Sequence, residues 1–118
     1  MYELKEVTLK NKNIEKKRLV IKFEDEKYAI LAEFLMSDAM LLSEELTLAF
    51  KQVNNEEKII LTGNRCAVEI GSIQTKIVDL FAEYDSGAYQ PLNISTNEFK
   101  NYINIWHEEL NKFNKKNI

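Results

Sequence analysis

The chain of 118 residues is 45% hydrophobic and 30% charged, and its 16 basic and 19 acidic residues give a formal net charge of −3. This length and composition predict one globular domain, residues 1–118, with a core of its own. Because there is no basic excess, direct binding to nucleic acid or to an anionic membrane is not expected.

Cysteine usage and hydropathy indicate the cellular setting. Cys66 is the only cysteine, which excludes an internal disulfide and a cysteine-rich zinc site. A free cysteine in such a pattern is predicted to be a small buried residue in a strand. No run approaches the ~20 apolar residues of a membrane helix, and residues 1–10 lack the apolar segment of a signal peptide. We therefore expect a cytoplasmic protein.

The first quarter of the chain predicts two strands joined by a polar turn. Apolar and polar residues alternate weakly over residues 2–9, with a change of phase that suggests a bulge. Residues 10–17, KNKNIEKK, predict a solvated turn region, with a small anion-facing patch as the alternative. Residues 18–23 alternate more regularly, and their large apolar side chains share one face.

The most apolar run, residues 28–36 (YAILAEFLM), fits either a doubly buried strand or a buried helix, because periodicity does not separate the two. The acidic residues 24–26 suit a helix N-terminus, and the composition of the run suits a helix. The preceding strand and the EDEK turn suit a hairpin instead. This context favours the strand, with the helix as the alternative.

Residues 43–53 predict a short amphipathic helix. Ser43 is the expected N-cap. Glu44 and Glu45 lie in the first turn, where the helix dipole favours anions. The apolar face is formed by four residues at helical spacing: Leu46, Ala49, Phe50 and Val53.

The middle of the chain, KIILTGNRCAVEIGSIQTKIVDLF, holds three strand-like runs and two turns. Gly63 and Asn64 predict a two-residue hairpin loop of the kind that accommodates positive φ, between strands at 58–62 and 65–70. The third strand, residues 75–81, has apolar residues on both faces and is predicted to be central in the sheet.

The last third begins with an acidic, aromatic loop at residues 83–91 and a short edge strand at 92–94. A long amphipathic helix is predicted over residues 96–113, with Ser95 and Glu98 forming a capping box. Its apolar stripe consists of Phe99, Tyr102, Ile103, Trp106, Leu110 and Phe113.

These elements predict an α+β fold in one domain. We expect a mainly antiparallel sheet of about five to seven strands, with the two amphipathic helices, 43–53 and 96–113, packed on one face.

The residues needed for most catalytic sites are missing. His107 is the only histidine, which excludes His-rich metal sites, and its place beside the apolar stripe predicts a boundary position. The three glycines fit no phosphate-binding loop, and the acidic groups do not have calcium-loop spacing. A hydrolase that uses Cys66 and His107 has no local support. The sequence therefore predicts a protein that is not an enzyme and holds no cofactor or metal.

The order of several short motifs resembles a known class of proteins. An acidic-capped helix (SEELTLAFKQV) precedes TGN at a hairpin tip, a CAVEI strand, a TKIVDLF strand and a helix that begins at IST and carries Trp106. This order resembles small bacterial immunity proteins encoded beside contact-dependent or secreted polymorphic toxins, over roughly residues 30–118. The resemblance implies a non-enzymatic protein that binds a toxin domain, commonly a nuclease, and blocks it. An acidic partner suits a basic nuclease, since opposite charges steer association.

Candidate binding residues follow from residue chemistry, because such families vary most at the surface that faces the toxin. Exposed loop tyrosines beside acidic residues are common interface anchors, with packing over the sheet edge as the alternative. The candidates in the predicted loop are Glu83, Tyr84, Asp85 and Tyr89. Glu44 and Glu45 form a second acidic patch.

Two other functions stay open. An interaction or regulatory subunit of a cytosolic assembly would fit an edge strand that is free to extend a partner's sheet. A small-molecule-binding protein or an enzyme would need a deep pocket around Cys66 or His107 with converging polar groups. The sequence does not indicate whether the protein self-associates.

Overall fold

In the computed structural model, which describes residues 1–82 and 87–117, six strands form two antiparallel sheets and three α-helices accompany them. The strands are β1 Tyr2–Asn11, β2 Ile14–Phe23, β3 Ile59–Thr62, β4 Cys66–Ile70, β5 Gln74–Asp79 and β6 Leu92–Ser95. The helices are α1 Ala29–Ser37, α2 Ser43–Gln52 and α3 Thr96–Lys116, with a 3₁₀ turn at Glu26–Tyr28 before α1. The predicted α+β class is confirmed.

The first two strands, β1 and β2, form a sheet of their own. They pair residue for residue along their whole length, up to Asn11 opposite Ile14, and no bulge interrupts the register. The turn consists only of Lys12 and Asn13, and Lys12 adopts the left-handed conformation with φ of 56°. The predicted turn region at 10–17 is therefore wrong, because the ladder of hydrogen bonds continues through those residues.

The other four strands form the second sheet, in the order β3-β4-β5-β6. β5 lies between β4 and β6, which confirms its predicted central place, and β6 is the predicted edge strand. Cys66 pairs with Asp79, so the turn between β3 and β4 lies at the same end of this sheet as the end of β5. That end brings together residues that are far apart in the sequence.

A helix, α1, occupies the most apolar run, so the favoured strand is wrong there. The Oδ1 atom of Asp25 accepts the N–H of Lys27 at 3.1 Å and caps the 3₁₀ turn that leads into the helix. Five of the nine residues of α1 are buried, and the helix lies against both β2 and β5. A helix buried on most sides has almost no polar face, so its period is not visible in the sequence.

Both predicted amphipathic helices form. Ser95 caps α3, since its Oγ accepts the N–H of Glu98 at 3.0 Å. The Glu98 carboxylate accepts the hydroxyl of Tyr28 at 3.0 Å and so contacts another element instead of completing the capping box. The prediction that Ser43 caps α2 is wrong, because the preceding turn leads straight into the helix and puts Leu42 at the N-cap position.

Aromatic contacts join the helices to the first sheet. Phe99 of α3 lies 5.4 Å from Phe34 of α1 and 6.0 Å from Phe50 of α2, measured between ring centroids. Tyr102 of α3 meets the ring of Phe23 of β2 edge to face at 5.2 Å. Such pairs add about 1 kcal/mol each to the free energy of apolar burial. The long C-terminal helix therefore connects both parts of the fold.

Candidate functional site

The carboxylate of Asp38 fills the turn between β3 and β4. Asp38 follows α1 and is fully buried. Its oxygens accept the backbone N–H groups of Asn64 at 2.8 Å, Arg65 at 3.1 Å and Cys66 at 2.7 Å. Three successive N–H groups directed at one carboxylate form an anion-binding concavity that the protein fills itself. This contact fixes the connection between α1 and α2 to the end of the four-stranded sheet.

Gly63 provides the space for this close approach. A Cβ atom at position 63 would lie 2.5 Å from Cγ of Asp38 and 2.7 and 2.8 Å from its two oxygens. The backbone of Gly63 does not have a positive φ, so the predicted positive-φ loop is wrong. Glycine suits this position because it has no side chain, and its conformational freedom is not used here.

The guanidinium of Arg65 is surrounded by an acid and two rings. Its Nη2 donates to Oδ2 of Asp79 at 3.0 Å. Its Cζ lies 5.0 Å from the ring centroid of Phe81 and 5.5 Å from that of Tyr89. The carboxylate of Asp79 is inaccessible to solvent, and the side chain of Arg65 is 23% exposed. Arg65 therefore links β4 and β5 to the segment that contains Tyr89.

Asp79 is held by backbone groups as well as by Arg65. Its carboxylate accepts the N–H of Phe81 at 2.9 Å and the N–H of Tyr89 at 2.9 Å. Burial by itself would raise the pKa of the Asp79 carboxyl, but these two hydrogen bonds and the Arg65 guanidinium hold the pKa below its ordinary value. The ionised carboxylate therefore stabilises this part of the fold.

Replacing Asp79 with asparagine is expected to lower the free energy of unfolding by about 2 kcal/mol at neutral pH, because the charge facing Arg65 is removed. Since folding lowers the pKa of Asp79, its ionised form contributes fully above about pH 4. That contribution is lost as the pH falls through the pKa of the folded state. The difference between the two proteins should therefore shrink below about pH 4.

Urea unfolding of both proteins, followed by circular dichroism from neutral pH down to about pH 3, measures this difference. Substitution of the exposed Asp25 by asparagine is the control. A difference in stability that stays constant over the whole range would contradict the role given to the Asp79 carboxylate.

Four large apolar side chains are exposed at this end of the sheet. Leu80 and Phe81, directly after β5, are 36% and 42% exposed. Met40 and Leu41, in the connection after Asp38, are 50% and 56% exposed. We call residues 38–42, 63–65, 79–82 and 87–89 together the Arg65 end. Exposed apolar side chains on a well-hydrogen-bonded surface are typical of protein-binding sites.

Of the four predicted loop candidates, Tyr89 belongs to the Arg65 end. Glu83, Tyr84 and Asp85 are outside the residues that the structure describes. Tyr89 is half-buried, and its ring packs on Arg65. Tyr89 therefore anchors the described part of the predicted loop, from residue 87 onward, to the sheet.

The second predicted patch, Glu44 and Glu45, follows the Arg65 end closely in the sequence. Glu44 and Glu45 are exposed in the first turn of α2. Neither forms an ion pair with a described residue. They follow the exposed Leu41 by three and four positions, so both carboxylates are free to contact a partner.

The sequence did not identify four residues of this site as candidates for binding: Asp38, Arg65, Asp79 and Phe81. Asp79 had a signal, since a lone acid among the apolar residues of a central strand needs a buried partner. Asp38 had none, because its hydrogen-bond partners begin 26 residues further along the chain.

Cys66 and His107 are separate from each other. Cys66 is fully buried in β4, as predicted, and burial raises the pKa of its thiol to about 12. The neutral thiol is a poor nucleophile. His107 is half-buried and lines a groove of about 270 Å³ between α2 and α3 that does not include Cys66. Its Nε2 is buried without a hydrogen-bond partner among the described residues.

Across residues 1–82 and 87–117, no three His, Cys, Asp or Glu side chains converge in a way that could hold a metal ion. None of the helices described combines the length and the apolar character that crossing a bilayer requires. No protein-family model, curated protein or solved structure matches this chain. Fold and site together define an α+β domain with an exposed apolar surface built on a buried ionic network.

Proposed function

We propose that this protein is a bacterial immunity protein that acts in the cytoplasm by binding and neutralising a protein toxin of the nuclease class. The observation that carries this proposal is the position of Phe81. Its ring is 42% exposed, and Arg65 lies against it. An aromatic side chain that is already held in place loses little conformational freedom on binding. It therefore suits the anchor of a protein interface.

The distribution of charge supports a basic partner. Residues 10–18 hold five basic residues and one acidic residue, which leaves 11 basic and 18 acidic residues in the rest of the chain. Two of these acids, Glu83 and Asp85, follow Phe81 within four positions. A nuclease presents a basic surface to phosphates, and acidic residues around an apolar centre would steer such a surface and complement it.

The experiment is to purify the product of the adjacent gene and to titrate it with this protein by calorimetry. We expect a one-to-one complex with a Kd on the order of nanomolar, together with rescue of cells from that product's toxicity. Phe81→Ala is expected to raise the Kd at least about 30-fold, as loss of a central anchor does.

Ile73→Ala is the matched control for Phe81→Ala. Ile73 is 72% exposed in the turn between β4 and β5, at the opposite end of the four-stranded sheet. This variant is expected to change the Kd by less than about twofold. Unfolding midpoints of both variants are measured first, so that loss of folding is not mistaken for loss of binding. An adjacent product that is not toxic, or that does not bind, would refute the proposed function.

A second candidate, an interaction or regulatory subunit, is favoured by the exposed edge of the sheet. Among the described strands, β3 pairs only with β4, and Ile60 on it is 66% exposed. Such an edge is able to accept a strand from a partner. If this function holds, Ile60→Lys weakens binding of the partner and Phe81→Ala does not.

A further inference from the structure

The far half of the β1-β2 ribbon is an exposed arm beside the C-terminal end of α3, where Glu15, Lys16 and Lys17 line an open groove with Phe113, Asn114 and Asn117. Residues 8–18 are exposed without exception, and burial begins only at Leu19. The radius of gyration is 15.1 Å, larger than the ~13.5 Å expected for a compact chain of this length. The longest dimension of the molecule is 53 Å. We call residues 10–18 the basic arm, because five of them are Lys or Arg.

Basic side chains lie on both faces of the basic arm, and Glu15 is the one acid within it. Alternate residues of a strand point to opposite sides, so Lys17 shares the face of the buried Leu19, whereas Lys16 and Arg18 point the other way. No ion pair with a described residue neutralises any of the five basic residues. These are Lys10, Lys12, Lys16, Lys17 and Arg18. A flat acidic surface would meet only one face of the arm, so this distribution suits a partner with negative charge on several sides.

We propose that the basic arm binds duplex DNA by entering the major groove, with its Lys and Arg side chains on the phosphates. Paired strands lie ~4.8 Å apart, and the major groove is ~12 Å wide and admits a two-stranded ribbon. Four exposed rows of paired residues, from Thr8 opposite Lys17 to Asn11 opposite Ile14, span ~10 Å along the strands, more than the ~8.5 Å depth of the groove. The tip of the arm therefore reaches the floor of the groove while the flanking side chains meet the phosphates.

The acidic net charge of the chain does not oppose this binding. Charges separated by more than ~8 Å of solution are largely screened at physiological ionic strength, and the arm is longer than that. The expectation of no direct nucleic-acid contact considers the charge of the whole chain, whereas the fold gathers five basic residues with a single acid, Glu15, at one end of the ribbon. This inference goes beyond toxin binding and does not depend on it.

Fluorescence anisotropy of a labelled short DNA duplex tests the proposal with the intact protein. About five phosphate contacts predict a slope of about −4.5 for log K against log salt concentration. Affinity should therefore fall roughly 500-fold between about 50 mM and about 200 mM salt. The variant Lys16→Glu/Lys17→Glu, which changes one residue on each face, should reduce the slope to about −2.7 and weaken binding at least about tenfold.

The matched control is Lys51→Glu/Lys76→Glu, which changes the net charge equally at exposed positions on α2 and β5. It should alter the affinity by less than about threefold. Absence of binding at about 50 mM salt, or equal losses in the two variants, would overturn the proposal. Polyglutamate that binds as tightly as the duplex would also overturn it and would indicate an acidic protein as the partner. Each result stands whether or not a toxin binds at the Arg65 end.

Discussion

Replacing Asp38 with alanine is expected to lower the free energy of unfolding by about 3 kcal/mol, a large share of the 5–15 kcal/mol typical of a domain. The substitution removes the carboxylate that accepts the N–H groups of Asn64, Arg65 and Cys66. The carboxylate that holds these donors is fully buried, so water replaces it poorly and the donors lose more than the net value of ordinary hydrogen bonds. Urea unfolding gives the change in free energy, and hydrogen exchange at those three amides shows where protection is lost.

Asp25→Ala is the control for Asp38→Ala. Asp25 also accepts a backbone N–H, that of Lys27, but at an exposed capping position. Its replacement is expected to cost at most about 1 kcal/mol. If the two variants lose the same free energy of unfolding, burial of the Asp38 carboxylate adds nothing to the stability that its hydrogen bonds provide.

Much of the fold follows from short-range patterns in the sequence. The stripe from Phe99 to Phe113 predicts α3, and Ser95 begins that helix with the expected hydrogen bond to the N–H of Glu98. The apolar residues on both faces of TKIVDLF predict a central strand, which β5 is. These signals succeed because capping, helical period and two-sided burial each involve residues only a few positions apart.

Where prediction fails, the missing information comes from distant parts of the chain. Residues 28–36 are helical because β2 and β5 cover that segment on more than one side, and no local pattern contains those contacts. The exposed half of the ribbon has few apolar residues to mark it as strand. It is held by its ladder of backbone hydrogen bonds, on which the side-chain pattern has little bearing.

The difference between local patterns and distant contacts also explains which parts of the candidate site the sequence predicts. Acidic and aromatic residues at 83–89 indicate a surface loop, and Tyr89 is found beside Arg65. The network that supports it depends on Asp38 and Asp79, which approach Arg65 only after the two strands and α1 have packed. Composition indicates the chemistry of a surface, whereas contacts across elements decide which side chains are fixed in place.

Separation of charge connects the two proposals. With five of the 16 basic residues in the arm, the rest of the chain is more acidic than the net charge of −3 suggests. A basic toxin would be attracted to that acidic part and repelled by the arm. The toxin and the DNA would therefore occupy different regions of one molecule, which the two sets of variants separate experimentally.

Gly63→Ala is expected to cost about 3 kcal/mol, because the new Cβ would lie 2.5 Å from Cγ of Asp38 and would push the carboxylate away from its donors. The test is a double-mutant cycle. In the Asp38→Ala background the space is open, so adding Gly63→Ala should cost less than about 1 kcal/mol. The coupling between the two positions, measured by urea unfolding, is then about 2 kcal/mol.

Gly71→Ala is the control for this cycle, because it tests a glycine with a different neighbour. Its Cβ would meet the backbone oxygen of Gln74 at 2.8 Å, so the substitution is also destabilising. Its cost should be the same with and without Asp38, since the two sites share no contact. If Gly63→Ala costs as much in the Asp38→Ala background as in the native protein, its effect comes from the backbone. The interpretation that position 63 must lack a side chain to leave room for the Asp38 carboxylate would then be wrong.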